Sequence, residues 1–123
     1  MKKLTVTMLV LMSVFICTAC SKSDVKTIEK KGYFVCGVTY YSPMNYFDNE
    51  EFVGFDTELA QAVASELGLQ VKFQLINWNA KFLELNSGNI DCIWNGFTID
   101  EERKKNVDCS KPYLNNSQCI VVR

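Results

Sequence analysis

Arg103 is the residue that most needs a chemical reason. It closes the stretch WNGFTIDEER, which begins at Trp94 and also carries Asn95, Gly96 and Thr98. The run from Asp100 to Val107 reads as a helix, so Arg103 would stand in its first turn. The helix dipole is positive there, and a cation costs about 0.3–1 kcal/mol. Two readings are open. Arg103 pairs on the surface with Glu101, Glu102 or Asp108, or it faces an anion together with the free N–H groups of the helix start. A guanidinium fork and such N–H groups converge well on one carboxylate, and local rules tend to be broken at functional sites.

The residues just before it fit the second reading. Thr98 offers a hydroxyl, and Gly96 lets the backbone approach a ligand closely. Thr98-x-x-Glu101 matches a capping box, and Asp100 is an equally good cap. Asn95-Gly96 between apolar runs is also a hairpin signal. Only Phe97-Thr98-Ile99 follows before the acid-rich helix start, which favours a strand-to-helix loop.

Other chemistries have less support. The 123 residues include no histidine, which removes imidazole acid–base catalysis and imidazole metal ligation. The chain has no Cys-x-x-Cys spacing for zinc, and no metal or cofactor is expected. Net charge is −1, with 48% hydrophobic and 22% charged residues, an ordinary globular composition. Lys30-Lys31 and Arg103-Lys104-Lys105 are short basic runs interleaved with acids, which gives no case for nucleic acid.

The elements that must position these residues follow from periodicity. Asp24–Lys31 reads as a short helix ended by Gly32, and Tyr33–Thr39 as a strand. Tyr40–Met44 is a loop. Asn45–Phe55 reads as a hairpin with Asp48–Glu51 at its tip. Asp56 suits the N-cap of the next helix, whose apolar stripe is Leu59, Ala60, Val63, Ala64 and Leu67, with Gly68 at its end. Leu69–Ile76 alternates as a strand. Asn79–Ser87 is a second core helix, closed by Gly88, with Phe82 and Leu85 inward. Ile90–Trp94 is a nearly all-apolar strand, covered on both faces. After the helix at Asp100–Val107, Gln118–Val122 reads as a last strand. This alternation is that of an open α/β sheet, mostly parallel, with flanking helices. Ligands collect beyond the carboxyl ends of such strands, where Tyr40–Met44 and Asn95–Asp100 lie.

The N-terminus reads as a targeting segment. Lys2-Lys3 precedes an apolar run from Leu4 to Ile16, then Cys17-Thr18-Ala19-Cys20. The run is short for a membrane span. The pattern resembles a lipoprotein signal, with cleavage after residue 19 and acylation of Cys20. A plain secretory signal is the alternative, and Cys17 stands where lipoprotein signals usually have Leu. Roughly 100 residues remain, enough for one small domain: residues 20–31 as linker and helix, and 32–123 as the folded unit. An exported chain with Cys36, Cys92, Cys109 and Cys119 invites disulfides. Buried free thiols are the leading reading, with a Cys109–Cys119 bridge the competitor.

Gly37-Val38, Pro43, Phe52-Val53-Gly54-Phe55-Asp56, Leu59-Ala60, Glu66-Leu67-Gly68, Gly88-x-Ile90-Asp91, Gly96-x-Thr98, Glu102-Arg103 and Asp108-x-Ser110-x-Pro112-Tyr113 occur in a fixed order and spacing. That pattern resembles the extracellular solute-binding proteins of family 3, the polar amino-acid receptors of ABC importers. The resemblance implies a type II periplasmic-binding-protein-like lobe. It implies that Arg103 grips a ligand α-carboxylate, that Thr98 hydrogen-bonds it, and that the backbone at Asn95 and Gly96 meets its α-amino and carboxylate groups. Tyr41 matches the aromatic that stacks on the ligand side chain, with Tyr40 a rival. Trp78 matches a pocket-lining position. For Tyr41 and Trp78 plain packing is an equal alternative. Ser42, Met44 and Cys109 depart from the usual Pro, Phe and Phe.

The resemblance further implies an amino-acid ligand, an ABC permease as partner, a lipid anchor at an extracytoplasmic face, and a monomer. Family members have two lobes, so the expectation is a single lobe, truncated before lobe two, that carries half a site and binds at millimolar affinity or weaker. The alternatives are the sensing domain of a signalling protein, or an enzyme related to the dehydratases or lytic transglycosylases of this fold. An enzyme would need a positioned acid or base, and the site loops hold no histidine and no obvious carboxylate pair.

Overall fold

The axis of the fold is β1 (Tyr33–Val38), which has a parallel neighbour on each side. In the computed structural model, residues 24–117 and 119–123 are described. The expected signal segment, Cys17, Cys20 and Gln118 lie outside the described residues. Helix α1 (Asp24–Lys31) precedes β1 and ends at Gly32, whose φ of 74° suits glycine.

After β1 the chain makes a hairpin, β2 (Tyr46–Asp48) and β3 (Glu51–Val53), with Asn49 and Glu50 at positive φ in its two-residue turn. It then forms α2 (Phe55–Glu66) and β4 (Gln70–Leu75). A 3-10 turn at Trp78–Ala80 leads into α3 (Lys81–Asn86), and β5 (Cys92–Ile93) follows. Sheet order is β4-β1-β5, all parallel. The order reverses at β1, so a crevice is expected between the carboxyl ends of β1 and β5.

The core lies between the sheet and α2. Phe34, Cys36 and Val38, alternate residues of β1, pack against Ala60 and Ala64, with Phe52, Val71, Phe73 and Trp94 around them. Two small residues on α2 let the helix approach the sheet closely. Helices α2 and α3 end alike. The N–H groups of Gly68 and Leu69 donate to the carbonyls of Ser65 and Ala64, and those of Gly88 and Asn89 to Leu85 and Glu84. Both are Schellman closures around a glycine of positive φ.

Several expectations are corrected. Asp56 is not an N-cap. Gly54 holds that position, with φ 125°, and Phe55 and Asp56 donate their N–H groups to the Pro43 and Met44 carbonyls. Backbone from the preceding loop does the capping, which frees the Asp56 side chain. Leu67 drops out of the apolar stripe and is exposed, because the helix terminates there. The expected helix at Asp100–Val107 is only a 3-10 turn, Arg103–Lys105. The Asp100 carboxylate accepts from the Arg103 N–H at 2.7 Å, which is an N-cap bond, so the start is capped as the sequence suggests while the helix beyond it does not continue. The expected last strand is absent: residues 119–123 carry no strand, and Ile120, Val121 and Val122 are at least 83% exposed. A strand needs a ladder partner, and these residues have none. Residues 108–117 are likewise irregular.

Candidate ligand-binding site

Two loops meet at the carboxyl ends of β1 and β5. The first, residues 39–45, is drawn tight by reciprocal backbone bonds between Tyr41 and Asn45 and contains a cis peptide at Ser42-Pro43. The second, residues 94–99, leaves β5 with the Trp94 N–H on the Gly37 carbonyl.

A buried polar chain joins them. Asn45 Nδ2 donates to Asn95 Oδ1 at 2.9 Å, Asn95 Nδ2 donates to Thr39 Oγ1 at 2.6 Å, and Thr57 Oγ1 donates to Asn45 Oδ1 at 2.9 Å. Asn45 and Thr57 are fully buried and Asn95 nearly so. Each bond sits in a low dielectric, where a satisfied network is rigid and a broken one is costly. The side chain of Asn95 therefore holds the loop in place, while its backbone remains at the surface of the crevice. Thr39, Asn45 and Thr57 were not singled out from sequence. Their partners are 12 to 56 residues away, and no local pattern announces such bonds.

Gly96 lies against Tyr41. A Cβ at Gly96 would stand 2.8 Å from Tyr41 Cε1, so only glycine permits this contact between the two loops. Tyr41 keeps half its surface exposed. Phe97, the next residue, is a hub. Trp78 meets it edge-on at 5.9 Å, Phe82 at 6.3 Å, and the Arg103 guanidinium lies 5.2 Å from its ring centroid.

Arg103 is held from three sides. Its Nη1 donates to the Thr98 carbonyl at 2.6 Å, its Nε lies 3.4 Å from Asp100 Oδ2, and its face rests on Phe97. Among the described residues nothing accepts a hydrogen bond from Nη2, and about a third of the side chain is exposed. The surface pairing with Glu101, Glu102 or Asp108 is not what forms. Instead Lys104 takes Glu101. The Thr98 hydroxyl accepts from Asn116 Nδ2 at 3.2 Å.

The six residues singled out from sequence fall into two groups that meet through Phe97. Tyr41, Asn95, Gly96 and Thr98 line an open cavity of about 1150 Å³, together with Cys92, Trp94 and Phe97. Arg103 and Trp78 each contact Phe97 but are outside that lining. Trp78 also carries the Lys81 ammonium 4.7 Å over its ring. Tyr40, the rival for Tyr41, instead packs on Phe47. The cavity is also lined by Leu59, Val63 and residues 107–116.

One carboxyl group has its pKa raised by burial. Asp56 is fully buried, Tyr113 donates to its Oδ1 at 2.8 Å, and its Oδ2 has no partner among the described residues. Burial raises its pKa, partly offset by the Tyr113 bond, and burial with that same bond raises the Tyr113 phenol. The pair ties α2 to residue 113, whose side chain also lines the cavity.

Residues 34–123 match the family described as bacterial extracellular solute-binding proteins, family 3. The arginine-binding extracellular protein ArtP of Bacillus subtilis (strain 168) is 33% identical over 122 residues, covering 98% of this chain and 48% of the relative. The arginine-bound form of domain 1 from TmArgBP superposes with a TM-score of 0.67 at 37% identity, covering 71% of each chain. The ancestral amino acid-binding protein AncCDT-1, a precursor of cyclohexadienyl dehydratase, gives a TM-score of 0.72 at 38% identity, covering 75% of this chain and 41% of that one. The chain spans about half the length of the curated relatives it matches.

Proposed function

Because the chain belongs to the extracellular solute-binding proteins of family 3, we propose that it binds an amino acid by its α-carboxylate at Arg103. The observation that carries this reading is the support of that guanidinium. Phe97, the Thr98 carbonyl and the Asp100 carboxylate engage the guanidinium, and the Nη2 edge is left for an acceptor. The Gly96 backbone and the Thr98 hydroxyl approach the same carboxylate, and Tyr41 lies against the ligand side chain. Trp78 supports the platform through Phe97 and reaches the ligand only at its edge.

The amino acid is then delivered to an ABC permease. The protein works as a monomer, on the extracytoplasmic side of a membrane, held by lipid on Cys20. A second lobe would close over the ligand in such a receptor. A ligand on this lobe alone faces water, where an ion pair contributes about 0–1 kcal/mol, so the expected Kd is millimolar or weaker. The arginine-bound domain 1 of TmArgBP supports binding by one lobe. The dehydratase connection of AncCDT-1 keeps an enzyme in view. It is the lesser reading, because the carboxylate in contact with Arg103, that of Asp100, is engaged by it.

The test is a titration of this chain with each of the twenty amino acids, followed by NMR shifts of its amide signals. Saturable shifts at residues 95–98 and 103 that vanish in Arg103→Ala are expected. Micromolar affinity would contradict the half-site account, and shifts unaffected by Arg103→Ala would contradict the role of the guanidinium.

A further inference from the structure

Cys36 and Cys92 are register partners on adjacent parallel strands, and their sulfurs lie 3.5 Å apart across 56 residues of chain. Adjacent strands run about 4.7–4.9 Å apart, within the Cα separation that a disulfide spans. Cys36 is fully buried in the core beside Val38. Cys92 is half-buried, and its strand edge lines the cavity. Cys92 is therefore the more accessible residue of the two.

We infer that Cys36 and Cys92 are a disulfide site that staples β1 to β5 directly beneath the two ligand loops. The reaction is thiol–disulfide exchange with a small organic disulfide or a protein disulfide. Cys92 loses its proton, and its thiolate attacks one sulfur of the reagent. This forms a mixed disulfide and expels one thiolate. Cys36 then loses its proton and attacks Cys92 Sγ, which expels the second thiolate. Two protein thiols are oxidised, one reagent disulfide is reduced to two thiols, and the two protons end on those thiols. The order follows from access.

The position gives the bond a consequence. The register of β1 with β5 covers only Cys36↔Cys92 and Gly37↔Ile93. Thr39 lies three residues after Cys36, and Asn95 three residues after Cys92. A covalent link at this point would hold the loop bases at fixed separation, whatever the loops carry, so the inference does not rest on the amino-acid reading.

The experiment incubates the full chain, natively folded, with oxidised glutathione. Free thiols are trapped, the protein is digested, and linked peptides are read by mass spectrometry. A peptide pair joining Cys36 to Cys92 is expected. It should vanish with dithiothreitol, persist in the Cys109→Ser/Cys119→Ser double variant, and be replaced in Cys36→Ala by glutathione held on Cys92. Hydrogen exchange at residues 39–45 and 95–98 should slow several-fold in the oxidised protein. A Cys36 that stays free while Cys109 or Cys119 takes up glutathione would overturn the site, as would a Cys92–Cys109 link. Unchanged exchange in a Cys36–Cys92-linked protein would overturn the staple.

Discussion

β1 is supported differently on its two sides. Towards β4 it has a six-residue parallel register from Tyr33↔Gln70 to Val38↔Leu75, behind which the Phe34, Cys36 and Val38 face is covered by α2. Towards β5 the register is two residues long. The shortfall is met by side chains: Asn95 bonded to Asn45 and Thr39, the Asp91 carboxylate accepting from the Val35 N–H and from Lys31, and the Cys36–Cys92 contact. The β4 side is held by repetition of one ladder bond. The β5 side is held by a few polar contacts, each without a substitute, and that is the side carrying the loops. Rigidity at the ligand edge therefore depends on individual residues in a way that the rest of the sheet does not.

The largest effect should come where both sides meet. Gly54 caps α2 at φ 125°, and a Cβ there would collide with the Met44 carbonyl oxygen. Gly54→Ala is expected to cost more than about 3 kcal/mol in urea unfolding, because the conflict is with backbone and with φ together. A loss below about 1 kcal/mol would mean that the loop yields and that the junction is softer than described.

Next comes the contrast itself. Asn95→Ala strands polar atoms of Asn45 and Thr39 and should cost about 2–3 kcal/mol, with weaker ligand binding. Val71→Ala, in β4 against the core, should cost roughly 1–2 kcal/mol by cavity formation, with binding unchanged. If the two variants lose binding equally, the division between the two sides fails.

Gly96→Ala should separate site from scaffold. Its backbone needs no positive φ, and the added methyl meets only the exposed Tyr41 ring. Stability should change by less than about 0.5 kcal/mol. Ligand affinity should fall about tenfold, a loss of about 1.4 kcal/mol, read from the NMR titration.

The smallest effect concerns pH. The folded-state pKa of Asp56 is raised above its ordinary 3.8, so the native state binds more protons than the unfolded state between that value and the raised one. Stability from this group is fully present below about 3.8 and is lost as pH rises through the folded pKa. Asp56→Asn should flatten the pH dependence of urea midpoints in that window. An unchanged slope would place the perturbation elsewhere.

The sequence was legible where local pattern decides the structure. The alternation of Leu69–Ile76, the small residues of α2, and the glycines that end α1, α2 and α3 all place elements correctly. It was misleading where tertiary contacts override local chemistry. Asp56 has the side chain of a good N-cap, but the Pro43 and Met44 carbonyls already occupy the helix start. Glu101-Glu102-Arg103 has helical composition and Asp100 caps it, yet only a 3-10 turn at Arg103–Lys105 forms. Arg103 was singled out on a premise that failed, since there is no long helix dipole behind it. Its contact with Phe97 had no sequence signal beyond that residue's aromatic type.

The most direct measurement of the central claim compares L-arginine with L-argininamide, which lacks the carboxylate, by NMR titration of this chain. If Arg103 grips the carboxylate, L-arginine gives saturable shifts at residues 95–98 and 103, argininamide gives none, and Arg103→Ala abolishes the difference. Equal affinities for the two compounds would contradict the account.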